Sequence, residues 1–282
     1  GNILLFTSRK WESLTMTVVA VAQVFLGAMV LGVYIFDLKV GSSPFTLIRE
    51  MPDNIGLPWT TMPNYLEVIP TFQNGRGLNP LLQNYWMTIH PPTLFLGYAS
   101  TVFPFAFVVA GLVSGKLREW IKPALPWAYF SVAALGLGIL MGGAWAYEAL
   151  SFGGFWAWDP VENASLVPWI TMVGAAHVMI VNQNKNRSLY TAIFLTLITF
   201  ALVMYASFLV HSGVLGDSSV HAFTGNGMMK QHLTMLLIII TVSVYLLLIN
   251  RRLKNIFLLL TAIFLILAVV TTFEIEFLIA YL

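Results

Sequence analysis

The chain has 282 residues, of which 58% are hydrophobic and 9% are charged, and its formal net charge at pH 7 is +2. An ordinary soluble domain carries about 25% charged residues. This chain therefore cannot cover a soluble surface and is predicted to be an integral membrane protein. It contains no cysteine, which excludes disulfides, thiolate metal sites and thiol catalysis, and the small net charge gives no support for nucleic-acid binding.

Seven apolar runs are each long enough to cross a bilayer, which takes about 20 helical residues. Backbone groups in lipid must be hydrogen-bonded within their own segment, and the alternating pattern of transmembrane strands is absent, so these runs are predicted to be helices. The predicted fold class is all-α, a polytopic transmembrane helix bundle with ordered outer loops. The predicted spans lie at about residues 13–36, 92–114, 124–146, 166–182, 189–210, 232–249 and 256–281.

The connections between the spans separate by charge. The longer, acidic connections are residues 37–91, 147–165 and 211–231, and in a bacterium they would face the periplasm. The other connections are short and basic, which assigns them to the cytoplasm by the positive-inside rule. This alternation predicts a multi-pass protein of the bacterial inner (plasma) membrane. The basic residues are Arg9, Lys10, Lys116, Arg118, Lys122, Lys185, Arg187, Arg251, Arg252 and Lys254.

The domain organisation predicted from this pattern is a single transmembrane domain over residues 1–282. The chain begins like an internal loop that enters a helix, which suggests a fragment of a longer bundle. The first outer loop is too long to be a simple connection and contains Pro, Gly and Asn punctuation. It is predicted to be an ordered cap with short helical pieces, and the third outer loop is rich in Gly and Ser.

Of the five histidines in the sequence, His177 is the one that lies deep inside a predicted span. An ionisable residue at that depth is costly and usually faces the bundle interior with a partner. Gly174, Ala175 and Ala176 precede it and would let a neighbouring helix or a flat ring come close. Two interpretations stay open: a neutral histidine bonded to a backbone carbonyl or a serine, and an axial ligand to a buried haem iron.

His90 and His221 are predicted on different outer loops that flank an aromatic segment. Pro91 and Pro92 follow His90 and would hold it at a helix entrance. Two imidazoles on opposite sides of an aromatic platform can ligate one haem iron from both faces. Ordinary solvent-exposed loop histidines are the alternative. A zinc site has less support, because no close His/Asp pair has the usual ligand spacing.

The aromatic segment is FWAWDPVENASLVPW, residues 155–169. Its Asp159-Pro160 pair favours a turn that leads into a capped helix, with the proline in the first turn. Glu162 would then lie at the positive N-terminal end of that helix, where a carboxylate is favourable. The segment is therefore predicted to be an aromatic arm that continues into the fourth span.

Trp156 and Trp158 would share one face if this arm is extended. An interfacial aromatic belt would explain scattered tryptophans. It does not explain the adjoining glycines, the helix cap and Glu162-Asn163 so close by. A platform for a large, flat, apolar ligand with polar edges explains this combination better.

These residues resemble the haem-handling, tryptophan-rich (WWD) proteins of cytochrome c biogenesis, and the CcmF-like branch in particular. GGFWAWDPVENAS, residues 153–165, is similar to the family signature, and its VENAS ending resembles CcmF more than CcsA or CcmC. Three further segments match the family in the expected order along the chain. Residues 75–98 contain a first external histidine, His177 is a membrane histidine, and residues 212–223 contain a second external histidine. The resemblance covers roughly residues 75–223.

The resemblance implies the function of a haem lyase (haem–apocytochrome c ligation) subunit. An external haem, delivered by the chaperone CcmE, would sit on the tryptophan-rich segment with its iron between His90 and His221. His177 would ligate a second haem, a haem b in the membrane, which keeps the delivered iron reducible. The implied haem-binding residues other than these three histidines are Trp156, Trp158, Asp159, Glu162, Asn163 and Trp169.

The product implied by the resemblance is a thioether bond between haem vinyl groups and a Cys-x-x-Cys-His motif of apocytochrome c. The lack of cysteine in this chain fits, because the thiols come from the substrate. Thiol-handling factors of the CcmH/CcmI type would be further partners.

The sequence departs from the family pattern at several positions. Phe152 and Phe155 stand at aromatic positions of the signature and lack an indole N–H donor. His211 stands where the family usually has arginine, which weakens an anionic contact to a haem propionate. No histidine follows His232. The second ligand of a membrane haem b is therefore missing unless the chain is truncated or split between two polypeptides.

Three other functions remain open at this point. A haem transporter or chaperone of the CcmC/CcsA type would bind external haem without a ligation step. A membrane electron carrier would need two histidines at matching depth on facing helices, whereas one histidine is deep here. A structural membrane subunit would leave the four ordered motifs unexplained.

Overall fold

The computed structural model describes residues 8–35, 38–51, 54–73, 77–149, 154–215, 219, 221 and 229–249. These ranges contain six helices that are long and apolar enough to cross a membrane, and one two-stranded antiparallel sheet. The predicted all-α, multi-span fold class is confirmed. The seventh predicted span, residues 256–281, lies outside the described residues.

The first span ends earlier than predicted. Helix α1 (Glu12–Met29) follows a 3-10 turn (Arg9–Trp11) and leads into a hairpin of β1 (Val33–Ile35) and β2 (Leu38–Val40). Residues 33–35, predicted as helix, therefore form β1 of the hairpin. The amide of Ser42 bonds to the carbonyl of Met29 at 2.9 Å. Gly41, with φ +74°, packs so closely on this helix end that a Cβ would lie 2.3 Å from a backbone oxygen, and only glycine fits there.

The first outer loop is an ordered cap with short helical pieces, as predicted. Its described residues form two short helices, α2 (Tyr65–Val68) and α3 (Pro70–Gln73), and 3-10 turns at Ile48–Glu50, Pro58–Thr61 and Pro80–Leu82. Trp59, Tyr65 and Phe72 form an aromatic cluster with ring centroids 4.9–5.7 Å apart. This cluster gives the cap a small core of its own.

The second span begins at Tyr85, seven residues before the predicted start. Helix α4 (Tyr85–Ser100) is capped by the side chain of Asn84, which accepts a hydrogen bond from the amide of Trp86 at 2.8 Å. Pro91 and Pro92 lie inside the helix rather than at its entrance, as transmembrane helices tolerate when packing against neighbours holds the chain. His90 is consequently a helix residue and not the last residue of a loop.

The rest of the bundle follows the predicted order. After a turn at Thr101, α4 continues into α5 (Val102–Val113), and α6 (Ile121–Ala149) returns along it. Helix α7 (Pro160–Lys185) extends the short fourth predicted span at both ends. Helices α8 (Leu189–His211) and α9 (Met229–Ile249) complete the described bundle.

Small residues set the distance between α4 and α6, which pack along each other. A Cβ added to Gly97 would lie 2.5 Å from the Cα of Leu135, and a Cβ added to Gly138 would lie 2.7 Å from the Cα of Leu94. Small residues allow such close backbone approach between membrane helices. Helix α5 is buried at the centre of the bundle, where Phe107 and Val108 are inaccessible to solvent.

The two ends of the bundle differ in chemistry. At the basic end, the loops before α1, between α5 and α6, and between α7 and α8 meet. There the Lys10 ammonium lies 2.7 Å from the Glu119 carboxylate, and the Arg118 guanidinium donates to the Asn186 side chain at 3.0 Å. The opposite end, called here the aromatic end, contains the start of α4, the end of α6, residues 154–159 and the start of α7. The loops alternate between these ends as the charge pattern predicts.

Candidate functional site

His90 is fixed in place by helix α6. Its Nδ1 lies 2.7 Å from the carbonyl oxygen of Gly138. A carbonyl can only accept, so Nδ1 carries the proton and donates to it. A Cβ on Gly142 would lie 2.6 Å from the imidazole Cε1, so the absence of a side chain at this position makes room for the ring. The bundle thus sets the orientation of His90 and directs Nε2 away from the α6 carbonyl.

His221 is positioned by a carboxylate instead. Its Nδ1 lies 3.3 Å from Oδ1 of Asp159, and the Asp159 side chain is 8% exposed. Ser219 Oγ donates to the same carboxylate oxygen at 2.8 Å and accepts from the amide of His221 at 3.1 Å. His221 thus contacts the aromatic segment directly, through the side chain of Asp159.

Trp145, near the end of α6, lies beside both histidines. Its ring stacks on His90 with a centroid distance of 6.4 Å and an interplanar angle of 24°. It meets the His221 ring at 5.9 Å and 71°. Its Nε1 donates to the carbonyl of Leu81 in the cap at 3.1 Å. One buried indole therefore connects both candidate ligands and the cap.

Sequence reasoning missed Trp145, although a signal was present. Residues 138, 142 and 145 follow one another at spacings of four and three, which places them on one face of a helix. Gly138 and Gly142 both lie against His90 on α6. A tryptophan on the glycine face of a span, close to its outer end, was therefore a candidate. What was not readable from the sequence is that this face meets α4.

The aromatic segment presents one tryptophan outward and buries part of another. Trp156 and Trp158 pack edge to face with centroids 6.4 Å apart. Trp158 is 72% exposed and adopts φ +58°, a left-handed conformation that is uncommon for a bulky residue. The Trp156 Nε1 atom is buried and has no hydrogen-bond partner among the described residues. Both features depart from ordinary packing, where buried donors are paired.

Glu162 and Asn163 shape the backbone of this segment. Asp159 caps α7 through the amide of Val161 at 2.8 Å, which confirms the predicted cap. The Glu162 carboxylate accepts from the amides of Ala157 and Asp159 at 3.0 and 3.2 Å. The Asn163 side chain donates to the carbonyl of Trp158 at 3.1 Å. These bonds hold the chain in the turn that exposes Trp158.

An apolar cavity of about 660 Å³ lies between α6 and the aromatic segment. Trp169 forms part of its wall and donates from Nε1 to the carbonyl of Val132 at 3.0 Å. Phe155 forms another part, and it also covers Gly143, where a Cβ would lie 2.3 Å from its ring. The lining residues are Ala133, Gly136, Leu137, Ile139, Leu140, Phe155, Trp156, Trp158, Leu166 and Trp169. The two histidines are not among these lining residues.

The comparisons with known proteins agree with this arrangement of motifs. The family described as "Cytochrome C assembly protein" matches residues 2–215. The chain belongs to the cytochrome c assembly protein family. It is 43% identical over 150 residues to the cytochrome c-type biogenesis protein CycK of Bradyrhizobium diazoefficiens, which covers 53% of this chain and 22% of that protein.

Further relatives place the chain in the CcmF-like branch of the family. It is 37% identical over 190 residues to the cytochrome c-type biogenesis protein CcmF of Pseudomonas aeruginosa, covering 67% of this chain and 27% of the relative. A solved structure named Cytochrome c Heme Lyase CcmF matches with a TM-score of 0.50 and 28% identity, over 58% of this chain and 26% of that one. The chain thus spans about a quarter of the length of these relatives.

The membrane histidine of this CcmF-like chain lies on the surface of the bundle, not in its interior. His177 is exposed along α7, and its Nδ1 donates to the carbonyl of Val173, one turn earlier, at 2.8 Å. The expectation of an interior-facing residue is therefore wrong for the described bundle. The backbone bond satisfies the ring's N–H locally, so the side chain needs no interior partner. The bond uses Nδ1 of His177 and leaves both interpretations open.

The two remaining histidines pair with each other. His211 is the last residue of α8 and His232 lies in the first turn of α9, completely buried. Their rings stack at 5.3 Å and 9°. Ser207 joins them, since its carbonyl accepts from His211 at 2.9 Å and its Oγ lies 3.1 Å from Nε2 of His232. Sequence reasoning placed both near the outer side but gave no reason to pair them.

Proposed function

We propose that this chain binds haem at its aromatic end and takes part in the covalent attachment of haem to apocytochrome c. The observation that carries the proposal is the convergence of His90 and His221 on Trp145, beside an exposed tryptophan and an apolar cavity. The two imidazoles come from elements far apart in sequence. Haem iron is commonly held by histidine, and apolar walls with few polar groups suit a flat macrocycle.

The residues present fit a haem group. Both histidines face an oxygen atom with Nδ1, which makes Nε2 the nitrogen directed at a ligand, the usual arrangement for a metal-binding histidine. The buried Trp156 Nε1, which has no partner in the described part of the chain, offers a donor to a polar edge such as a carboxylate. Trp158 and Phe155 offer exposed ring faces. Glu162 and Asn163 would act by shaping the segment, and Trp169 by closing the cavity wall.

The chemistry supplied by bound haem is its vinyl groups, which form thioether bonds with thiols. The thiols would come from a Cys-x-x-Cys-His motif of apocytochrome c, because this chain has no cysteine. This chain's residues would ligate the iron, orient the ring and keep water away from its apolar face. A CcmE-like chaperone would deliver the haem, and CcmH/CcmI-like factors would handle the thiols. These whole-protein roles go beyond the portion that this chain spans.

The proposed location is the bacterial inner membrane, with the aromatic end in the periplasm and the basic end in the cytoplasm. The clustering of Lys10, Lys116 and Arg118 at one end of a multi-pass bundle supports this orientation. His177 is a candidate ligand for a second haem, a haem b in the membrane. Its ring projects from the bundle surface next to Gly174, where a flat ring or another helix can approach.

The test is the absorption spectrum of the detergent-purified chain, oxidised and dithionite-reduced, after incubation with haem or the haem-loaded chaperone. Sharp reduced bands are expected in the unaltered chain and lost in the His90→Ala/His221→Ala double variant. The His177→Ala variant should retain the external haem. The absence of any bound haem, or bands lost with His177→Ala alone, would refute the site.

The ligation step needs a second measurement. Covalent haem on a reporter cytochrome c is counted in cells that depend on a complete protein carrying this chain's residues. The double variant should lose covalent attachment. If haem binds at the site but its loss leaves covalent attachment unchanged, the function is that of a haem transporter or chaperone without ligation.

A further inference from the structure

The carboxylate of Asp159 receives contacts from three directions. Its Oδ1 accepts from the amide of Val161 at 2.8 Å and from Ser219 Oγ at 2.8 Å, and it lies 3.3 Å from Nδ1 of His221. One of these contacts is within the aromatic segment, and two reach a part of the chain about 60 residues later. Helix capping alone requires only the first contact.

We infer that Asp159 is a positioning residue, which fixes the tautomer and orientation of His221 and increases the donor strength of its Nε2 toward iron. This inference rests on the proposed function. A carboxylate that accepts the Nδ1–H of a ligating imidazole orients the ring and raises its basicity. The side chains of Asp159 and His221 are 8% and 23% exposed, so water screens this pair only partly.

The arrangement also couples two regions of the site. The His221 amide donates to Ser219 Oγ, and Ser219 Oγ donates to Asp159. The same oxygen of Asp159 caps α7. Glu162, in the first turn of α7, accepts from the amide of Asp159 and so helps to hold the turn that exposes Trp158. A shift of the aromatic segment would therefore be transmitted to His221. A carbonyl of α6 orients His90, and no hydrogen bond among the described residues links it to the aromatic segment.

The described surroundings of Asp159 limit which titratable groups its carboxylate can position. The nearest described carboxylate on its own helix, Glu162, is occupied by the amides of Ala157 and Asp159. The histidine on the opposite side of the site, His90, bonds to Gly138. No lysine or arginine bonds to Asp159 among the described residues. His221 is thus the titratable group that this carboxylate contacts in the described part of the chain.

The experiment compares two variants of the full chain with a control variant. Asp159→Asn keeps a helix cap of similar strength and the side-chain shape but removes the charge. Ser219→Ala removes the hydroxyl link and keeps the charge. Lys10→Gln is the control, because it alters an exposed side chain at the basic end that bonds to Glu119 and not to Asp159.

The first readout is the midpoint potential of bound haem. Asp159→Asn should raise it relative to the unaltered chain, because a weaker donor stabilises ferric iron less. Ser219→Ala should increase the high-spin fraction, and the control should change neither. An unchanged potential and spin state in Asp159→Asn, with haem still bound, would overturn the inference and leave Asp159 as a helix cap.

The second readout needs no haem and separates this inference from the proposed function. Hydrogen exchange of the His221 amide should be about tenfold faster in Ser219→Ala, as expected for loss of one hydrogen bond. Asp159→Asn should give a smaller increase, and the control none. Equal exchange rates in all variants would show that Ser219 and Asp159 do not hold His221 in place, even if haem binding is confirmed. If the unaltered chain binds no haem, the proposed function fails, and hydrogen exchange still shows whether Ser219 and Asp159 position His221.

Discussion

The two candidate iron ligands are held in different ways. His90 lies in a transmembrane helix, bonded to a carbonyl of the neighbouring helix and packed against a glycine. His221 lies between helices, and the side chains of Ser219 and Asp159 position it. The first arrangement is as rigid as the bundle. The second depends on a few polar contacts. This difference suggests a site with one fixed wall and one wall that can adjust when a large ligand enters.

The largest effect is expected from a substitution that disturbs the fixed wall, which holds His90. Gly142→Leu would place side-chain atoms where the His90 ring lies, and overpacking of this kind costs about 1–3 kcal/mol. We expect a lower thermal midpoint and loss of the His90-dependent absorption bands. Gly154→Ala is the control, because nothing lies within 4 Å of a Cβ at that position. A normal spectrum in Gly142→Leu would show that the wall is not fixed.

Trp158 directly precedes Asp159, which contacts His221, and so belongs to the adjustable wall. At Trp158 the requirements of stability and of haem binding should conflict. Its φ of +58° costs a non-glycine residue about 1–2 kcal/mol, which glycine avoids. Trp158→Gly should therefore be more stable than Trp158→Ala by about 1 kcal/mol, measured by thermal or denaturant unfolding. Both should bind haem more weakly than the unaltered chain. Equal stability of the two variants would show that the turn relaxes without glycine.

Trp145 lies between the two walls and allows a finer test. Trp145→Phe keeps an aromatic ring but removes the hydrogen bond to the Leu81 carbonyl, at a cost of about 0.5–1.5 kcal/mol. We expect small, simultaneous changes in the surroundings of His90 and His221, measured by imidazole nitrogen chemical shifts. A change confined to one histidine would separate the two walls completely.

The smallest effect is expected at the basic end. The Lys10 ammonium hydrogen-bonds to Glu119 and lowers the pKa of that carboxyl below its usual value, with a smaller contribution from Lys116. A lowered pKa in the folded state means stabilisation that is present above the unfolded-state pKa and lost as pH falls through the folded-state pKa. Both side chains are exposed, so the pair contributes little to stability.

Lys10→Gln should therefore raise the pKa of Glu119 toward its ordinary value, measured by carboxyl chemical shifts against pH. Haem binding at the aromatic end should not change. A change in the haem spectrum would show that the two ends of the bundle are coupled, which no contact among the described residues suggests.

Much of the fold was readable because membrane helices obey a simple constraint. Apolar length and loop charge predicted the helices at residues 121–149, 160–185, 189–211 and 229–249 with boundaries within six residues. Boundaries near Pro and Gly were wrong. The prolines after His90 signal a helix start in isolation, whereas the Asn84 cap starts the helix earlier. Residues 33–35 are apolar enough to continue α1, but they form β1 of the hairpin.

The candidate site was partly readable for a different reason. Asp159-Pro160 and Glu162 act within one turn of the chain, and local hydrogen bonding decided their roles, as the predicted cap shows. The contact of Asp159 with Ser219 and the place of Trp145 depend on residues about 60 positions away or on another helix. No local pattern specifies such contacts.

The sequence by itself determined the membrane class, the order of the helices, the capped start of α7 and the family, because these follow from composition, periodicity and short motifs. Only the tertiary structure decided that His90 stacks on Trp145, that His221 meets Asp159, that His177 faces outward and that His211 pairs with His232. The physical reason is that helix rotation and loop path are set by close packing between segments. That packing depends on the shapes of many side chains at once.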